Sequence, residues 1–212
     1  MTEIRHLAIT KTVADAADLL VMQNPTTGET YNIKMSDFLA GLSSSTGTGN
    51  TSGGNNTINR CLNSNGGTII ASSTYYNDPS FSANSIINGD RKGNGWGSGG
   101  GWNSGGSLPQ WVVIDFGASY SISKVNIFTI QDAYGSPSEP TLDMTFSAYG
   151  ITAFDVQCWY GSAWTTVKSF TGNNKVWTQA IFSPVTTDKI RIYITAAIDG
   201  NANARLIEVE AY

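Results

Sequence analysis

The chain has 212 residues, only 13% of them charged, with a net charge of −4 and a pI near 4.8. That length holds one sizeable domain and a small extra unit. No segment is basic, which argues against nucleic acid or an anionic membrane surface as partner, and no run of 18 apolar residues is present to span a bilayer.

Residues 1–43 read as a small anchor unit. RHLAIT alternates like a short strand. ADLLVMQNPTTGETYNIKM reads as a hairpin, two strands about a PTTGE turn in which Pro25 and Gly28 suit the bend. SDFLAGL follows, with Ser36 placed to cap a short helix ending near Gly41. One hairpin and one short helix rarely bury enough surface to be stable alone. The unit is therefore expected to pack on copies of itself or dock on another protein. Residues 44–67 are almost purely Ser, Thr, Gly and Asn, with Ile58, Cys61 and Leu62 as the only anchors. They read as a flexible linker, or as a segment threaded along a neighbouring subunit.

Residues 68–212 carry strand after strand: TIIASST, WVVIDFG, SKVNIFTIQ, ITAFDVQCWY, AWTTVKSF, TQAIFS, KIRIYITAAI and LIEVEAY. WYGSAW sets two of them about a short glycine turn, a hairpin signal. In PQWVVIDFG, Trp111, Val113 and Asp115 alternate with Val112, Ile114 and Phe116, so one set faces a core and the other faces out, and Gly117 is read as the strand's end. The spacing suits an all-β sandwich, and the lack of βαβ alternation speaks against a nucleotide-binding α/β fold. Cys61 and Cys158 lie 97 residues apart and no motif implies that they pair. Cys158, inside an alternating strand, reads as a buried thiol.

The order ASST, SANSIINGDRKGNGWGSGGGW, PQWVVIDFG, SISKVNIFTI and finally RLIEVEAY resembles the discoidin, or coagulation-factor C-type, domains and the family 32 carbohydrate-binding modules. The resemblance covers 68–212 and implies a galactose-binding-like jelly-roll β-sandwich, here preceded by the hairpin and short-helix anchor and the linker. It also gives the glycine-rich loop a meaning. GxGxxG occurs in GNGWGSGGG, but no helix follows to hold a phosphate. Family members often hold one structural Ca²⁺ in this loop, and calcium takes six to eight oxygens. The resemblance points to Asn88, Asp90, Gly93 and Glu208 as its surroundings. This chain departs from the family in having Asn94 where a Thr or Ser is usual. The alternative is a metal-free loop closed by Arg91 or Lys92 on Glu208. Trp96 matches the family's loop tryptophan, a core residue. Trp102 is either a lid folded on Trp111 or an exposed stacking surface.

Sugar recognition needs an aromatic face and polar groups that read hydroxyls. Three loop stretches supply them: Tyr75 and Tyr76; Asp132 and Tyr134; Asn201, Asn203 and Arg205. With Trp102 these are the candidate ligand-binding residues. Family members that bind sugar often use a loop histidine. This chain's single histidine is His6, so the 68–212 region has no Ser-His or Cys-His pair for catalysis. Glu208 and Glu210 share a strand face about 7 Å apart, but without an evident cleft. A non-enzymatic role is expected.

The N-terminal stretch DLLVMQNPTTGETYNIKMSDFLAGL resembles segments that precede the distal domain in phage tail-fibre and other virion structural proteins. MTEIRHLAITKT also lacks the order of a Sec signal peptide. Together these imply a phage virion fibre or spike subunit, made in the host cytoplasm and carried on the virion. It would trimerise or dock on other virion proteins through residues 1–43 and adhere through its tip to host-surface polysaccharide. A capsid or tail decoration protein that binds no sugar, and a bacterial carbohydrate-binding accessory protein, are the alternatives.

Overall fold

The computed structural model describes residues 58–198 and 203–212, together with the backbone of two strands near the N-terminus, β1 (Leu19–Gln23) and β2 (Thr30–Lys34). These two pair antiparallel, Leu19 opposite Lys34 and Gln23 opposite Thr30, as the hairpin reading requires. The expected strand RHLAIT, the expected helix after Ser36 and residues 44–57 lie outside the described residues. The chain separates into two units, Met1–Gly54 and Asn55–Tyr212.

The second unit contains β3 (Thr68–Ala71), β4 (Trp102–Asn103), β5 (Gln110–Thr129), β6 (Ile151–Trp159), β7 (Trp164–Phe170), β8 (Trp177–Ala197) and β9 (Arg205–Ala211). Hydrogen bonding runs in the order β4-β9-β5-β8-β6-β7, with β3 also on β5. The stretches WVVIDFG and SKVNIFTIQ are one continuous strand, as are TQAIFS and KIRIYITAAI. Gly117 does not end the strand. It adopts φ +74° and donates its N–H to Asp115 Oδ1 (2.8 Å), at a register shift between Asp115 and Tyr120. A bulge of this kind bends a strand without ending its pairing. β5 and β8 thus cross from one layer of the sandwich to the other. Gln110–Asp115 pairs with Lys189–Ile194 beside β3 and β6, and Lys124–Phe128 pairs with Trp177–Ile181 and with β9.

Val112, Ile114, Ile127, Phe154, Val156, Ile190, Ile192, Leu206 and Val209 are all buried between the layers. Their alternation with half-exposed Trp111, Val113, Arg191 and Tyr193 is the period-two pattern of a strand with one face in the core. The described part of the expected linker, residues 58–67, packs into this unit. Cys61 is fully buried, Arg60 N donates to Ala211 O (2.9 Å), and Asn59 Oδ1 accepts from Cys61 N and Ala211 N. Few apolar residues sufficed because backbone and amide hydrogen bonds do the fastening. Cys61 and Cys158 are both buried free thiols. Among the described residues no helix is long and apolar enough to cross a membrane.

Candidate functional site

The turn after β3, the loop before β4, β4 itself, the loop after β5 and the start of β9 converge on a cleft of about 360 Å³. Tyr134, Tyr149, Tyr75 and Trp96 form its aromatic walls, and Asn103, Asn203 and Arg205 supply polar atoms. Tyr134 and Tyr149 meet edge to face with centroids 5.6 Å apart. On the other side Tyr75 packs edge to face on Phe81 (5.7 Å), and Phe81 lies against Trp96 (5.4 Å).

The polar floor follows from strand register. Asn103 on β4 stands opposite Arg205 on β9, so both side chains lie on one face as cross-strand neighbours. Arg205 is buried to 8% exposure, donates from Nη1 to Tyr149 O (3.4 Å) and holds its guanidinium 5.5 Å over the Tyr149 ring. Asn103 is 5% exposed, and its Oδ1 is buried with no hydrogen-bond partner. A buried acceptor left unpaired costs about 1–3 kcal/mol. The oxygen is closed off from solvent, so a ligand in the cleft meets other atoms of Asn103. Tyr149 itself takes φ +66°, the left-handed region that non-glycine residues seldom occupy. Such strain concentrates at binding sites.

Tyr75, Tyr134, Asn203 and Arg205 therefore meet in one place, and Tyr76 adjoins it, 4.4 Å edge to face from Tyr75. Asn201 lies outside the described residues. Two other candidates have different roles. Trp102 is fully buried in β4, its Nε1 donating to Ser73 O (2.9 Å), so it is core, neither lid nor exposed platform. Asp132 fastens its loop by accepting from Ser147 N (2.8 Å), Ser147 Oγ (2.7 Å) and Ala148 N (2.9 Å). Partial desolvation pushes its pKa up, but these hydrogen bonds outweigh it and hold the carboxyl below its ordinary value. Asp132 thus positions Tyr149 and does not line the cleft. Trp96 is half-buried: one side packs with Phe128, Ile130 and Ile207, and the ring also lines the cleft. Asn103 was missed, whereas Tyr149 belongs to the same candidate loop stretch as Asp132 and Tyr134. A buried asparagine after a core tryptophan carries no sequence signal until the β4–β9 register is known.

The glycine-rich loop closes on the core. Gly93 takes φ +74°, and a Cβ there would lie 2.6 Å from Ile207 Cδ1. Asn88 Oδ1 accepts from Asp90 N (2.7 Å), and the Asp90 carboxylate accepts from Lys92 N (2.9 Å) and Asn94 N (3.0 Å). The side-chain oxygens expected for calcium are thus engaged in holding the loop. Arg91 pairs with Glu210, not Glu208, at 2.6 Å. Glu210 also accepts from Asn126 Nδ2 (2.8 Å). Glu208 is fully buried; Oε1 accepts from Gly89 N (3.2 Å) and Oε2 has no partner. Burial foremost, with the Glu210 and Asp90 charges, pushes its pKa up to about 9 against the backbone donors Gly89 and Asn88. Among the described residues no three His, Cys, Asp or Glu side chains cluster as a metal site. The unpartnered Glu208 oxygen is nevertheless a hard donor of the type calcium takes, and a loop rich in glycine leaves carbonyl oxygens free of side chains.

Residues 85–192 match the F5/F8 type C family of NedA-like, galactose-binding domains. The chain belongs to this family. The matched span contains Trp96, Asn103, Tyr134 and Tyr149, while Tyr75, Asn203 and Arg205 of this galactose-binding-type domain lie beyond it. No curated protein sequence matches the chain. The sandwich is similar to a Streptococcus pneumoniae fucose binding module (18% identity, 76% of this chain and 99% of that one, TM-score 0.57). It is also similar to chitosan-binding module 1 of a chitosanase/glucanase from Paenibacillus sp. IK-5 (22% identity, 73% and 98%, TM-score 0.54). Module 2 of the same enzyme, solved in complex with chitotriose, is alike as well (23% identity, 73% and 99%, TM-score 0.53). At these identities the likeness is one of fold.

Proposed function

We propose that the cleft binds carbohydrate and that the chain is a virion fibre or spike subunit whose sandwich tip adheres to a host-surface glycan. The observation that carries the sugar reading is a cleft walled by Tyr75, Trp96, Tyr134 and Tyr149, with Asn103, Asn203 and Arg205 among its lining residues. Aromatic rings take the C–H faces of a sugar, and amide and guanidinium groups read its hydroxyls. Binding, not catalysis, suits these groups. The paired carboxylates Glu208 and Glu210 are buried, Glu210 is held in an ion pair, and neither lines the cleft. The virion setting is supported by the small N-terminal hairpin unit ahead of the tip and by its resemblance to fibre segments. Trimerisation through residues 1–43 would multiply a weak affinity through avidity.

A calcium ion held by Glu208 and loop carbonyl oxygens would supply positive charge beside two buried carboxylates and stiffen the loop that carries Trp96. The chain's own residues do the rest. Arg91 neutralises Glu210, Gly93 admits Ile207, and Asp90 ties Lys92 and Asn94.

The test is binding of the full-length protein to host cells and to a glycan array, with Tyr134→Ala as the site variant. Light scattering measures the oligomer. Trimers that bind and lose binding on Tyr134→Ala support the proposal. Failure of the intact oligomer to bind any glycan or cell would move the reading to a structural decoration protein.

A further inference from the structure

A second groove, of about 410 Å³, adjoins the first and shares Tyr75 and Asn203 with it. Its own walls are the turn Ser73–Asn77 on one side and the backbone of Gly105 and Gly106 on the other. The turn is built, not loose. Asn77 N donates to Thr74 O (3.0 Å) and Asp78 N to Tyr75 O (2.9 Å), and Asp78 Oδ1 accepts from Ser80 N (2.9 Å). The facing wall is fastened to it through Gly105 N, which donates to Ser73 Oγ (2.9 Å). Only glycine permits this approach, because a Cβ on residue 105 would fall 2.5 Å from Thr74 O.

Tyr76 stands at this groove 84% exposed. Its backbone is at φ +48° and that of Asn77 at φ +55°. Two consecutive non-glycine residues in the left-handed region are a strained arrangement, and strain of this kind persists where surrounding structure enforces it for a purpose. Here it holds an aromatic ring out of the core, beside a wall without side chains. Segment 103–106 runs under both depressions, with Asn103 in the first and the glycines in the second.

Building on the carbohydrate reading of the first cleft, we infer that the site spans two adjoining subsites and takes an oligosaccharide. One sugar residue sits between the aromatic walls of the first cleft. The next stacks on Tyr76 against Gly105 and Gly106. Tyr75 and Asn203 form the ridge under the linkage between them. The monosaccharide alone would leave Tyr76 unused.

The experiment uses the full-length protein. An array carrying galactose, fucose and N-acetylglucosamine, each alone and at the end of oligosaccharides including chitotriose, identifies the best glycan. Calorimetry then compares that glycan with its terminal monosaccharide for the parent, Tyr76→Ala, Tyr76→Phe and Asn103→Ala. The oligosaccharide is expected to bind about tenfold more tightly than the monosaccharide, the effect of roughly one stacked ring. Tyr76→Ala should abolish that advantage and leave monosaccharide affinity within about twofold. Tyr76→Phe should retain it, and Asn103→Ala should weaken both ligands alike. Equal affinity for the two ligands, or an equal loss of both on Tyr76→Ala, overturns the two-subsite inference while leaving the first cleft's reading intact. Absence of binding to every glycan overturns both.

Discussion

Glu208→Gln offers a test of the glycine-rich loop that needs no ligand. The carboxyl is fully buried, and its pKa is raised from 4.5 to about 9. A raised folded-state pKa means that the folded chain keeps a proton the unfolded chain has released. Stability from this group is whole below 4.5 and is lost as pH rises toward 9. At pH 7 the gap of about 2.5 pH units corresponds to about 3 kcal/mol, a sizeable part of a domain's stability. Glutamine keeps the shape and can still accept from Gly89 N, but it carries no charge. In EDTA, urea denaturation should find the variant equal to the parent near pH 4.5 and about 4–5 kcal/mol more stable at pH 8, with a flatter pH profile. A variant no more stable than the parent at pH 8 would refute the reasoning. A calcium arm tests the ion. Millimolar calcium should restore the parent's stability at pH 8 and leave the variant unmoved. A parent indifferent to calcium would leave the proton as the carboxyl's partner.

Three further substitutions probe other contacts. Arg91→Ala strands Glu210, which is 3% exposed, with only Asn126 and Tyr212 as partners, so chemical denaturation should show a loss of about 2–3 kcal/mol. Asp132→Ala removes three hydrogen bonds that clamp its loop at Ser147 and Ala148. Glycan affinity should fall about fivefold with little change in Tm, as for a residue that only positions Tyr149. Because the Asp132 pKa is lowered, its clamp is present above the ordinary carboxylate range and is lost as pH falls through the lowered value. Trp102→Phe removes the Nε1 bond to Ser73 O and leaves a cavity, costing about 1–3 kcal/mol by denaturation while glycan affinity stays unchanged at temperatures where the protein is folded.

The sandwich was legible because its strands are half-buried. Val112 and Ile114 alternate with Trp111 and Val113, and WYGSAW marks the β6–β7 turn, where Trp159 stands opposite Trp164. What the pattern could not show is continuity. Gly117 looks like a strand end, yet a bulge needs the same residue, and only re-pairing of Tyr120 with Thr187 separates the two cases. The packing of residues 58–67 was hidden for a related reason. A polar segment reads as linker, and the hydrogen bonds of the last strand with Asn59, which accepts from Ala211 N, and Arg60, which donates to Ala211 O, are long-range contacts that composition does not reveal.

The site was legible only where a residue type advertises its use. Exposed loop tyrosines and a loop arginine drew attention, and Tyr75, Tyr76, Tyr134, Asn203 and Arg205 do come together. Asp132 and Trp102 carried the same surface signals and serve structure, because one carboxylate found three local donors and one indole found a backbone carbonyl. One lining residue was silent. Asn103 follows a tryptophan in a two-residue strand, and it reaches the cleft through a register that sets it opposite Arg205. A polar side chain becomes informative when it is buried and unpaired, since that state is costly unless something binds. The burial of Asn103 and its lack of a partner belong to the fold, and chain order alone would pass over them.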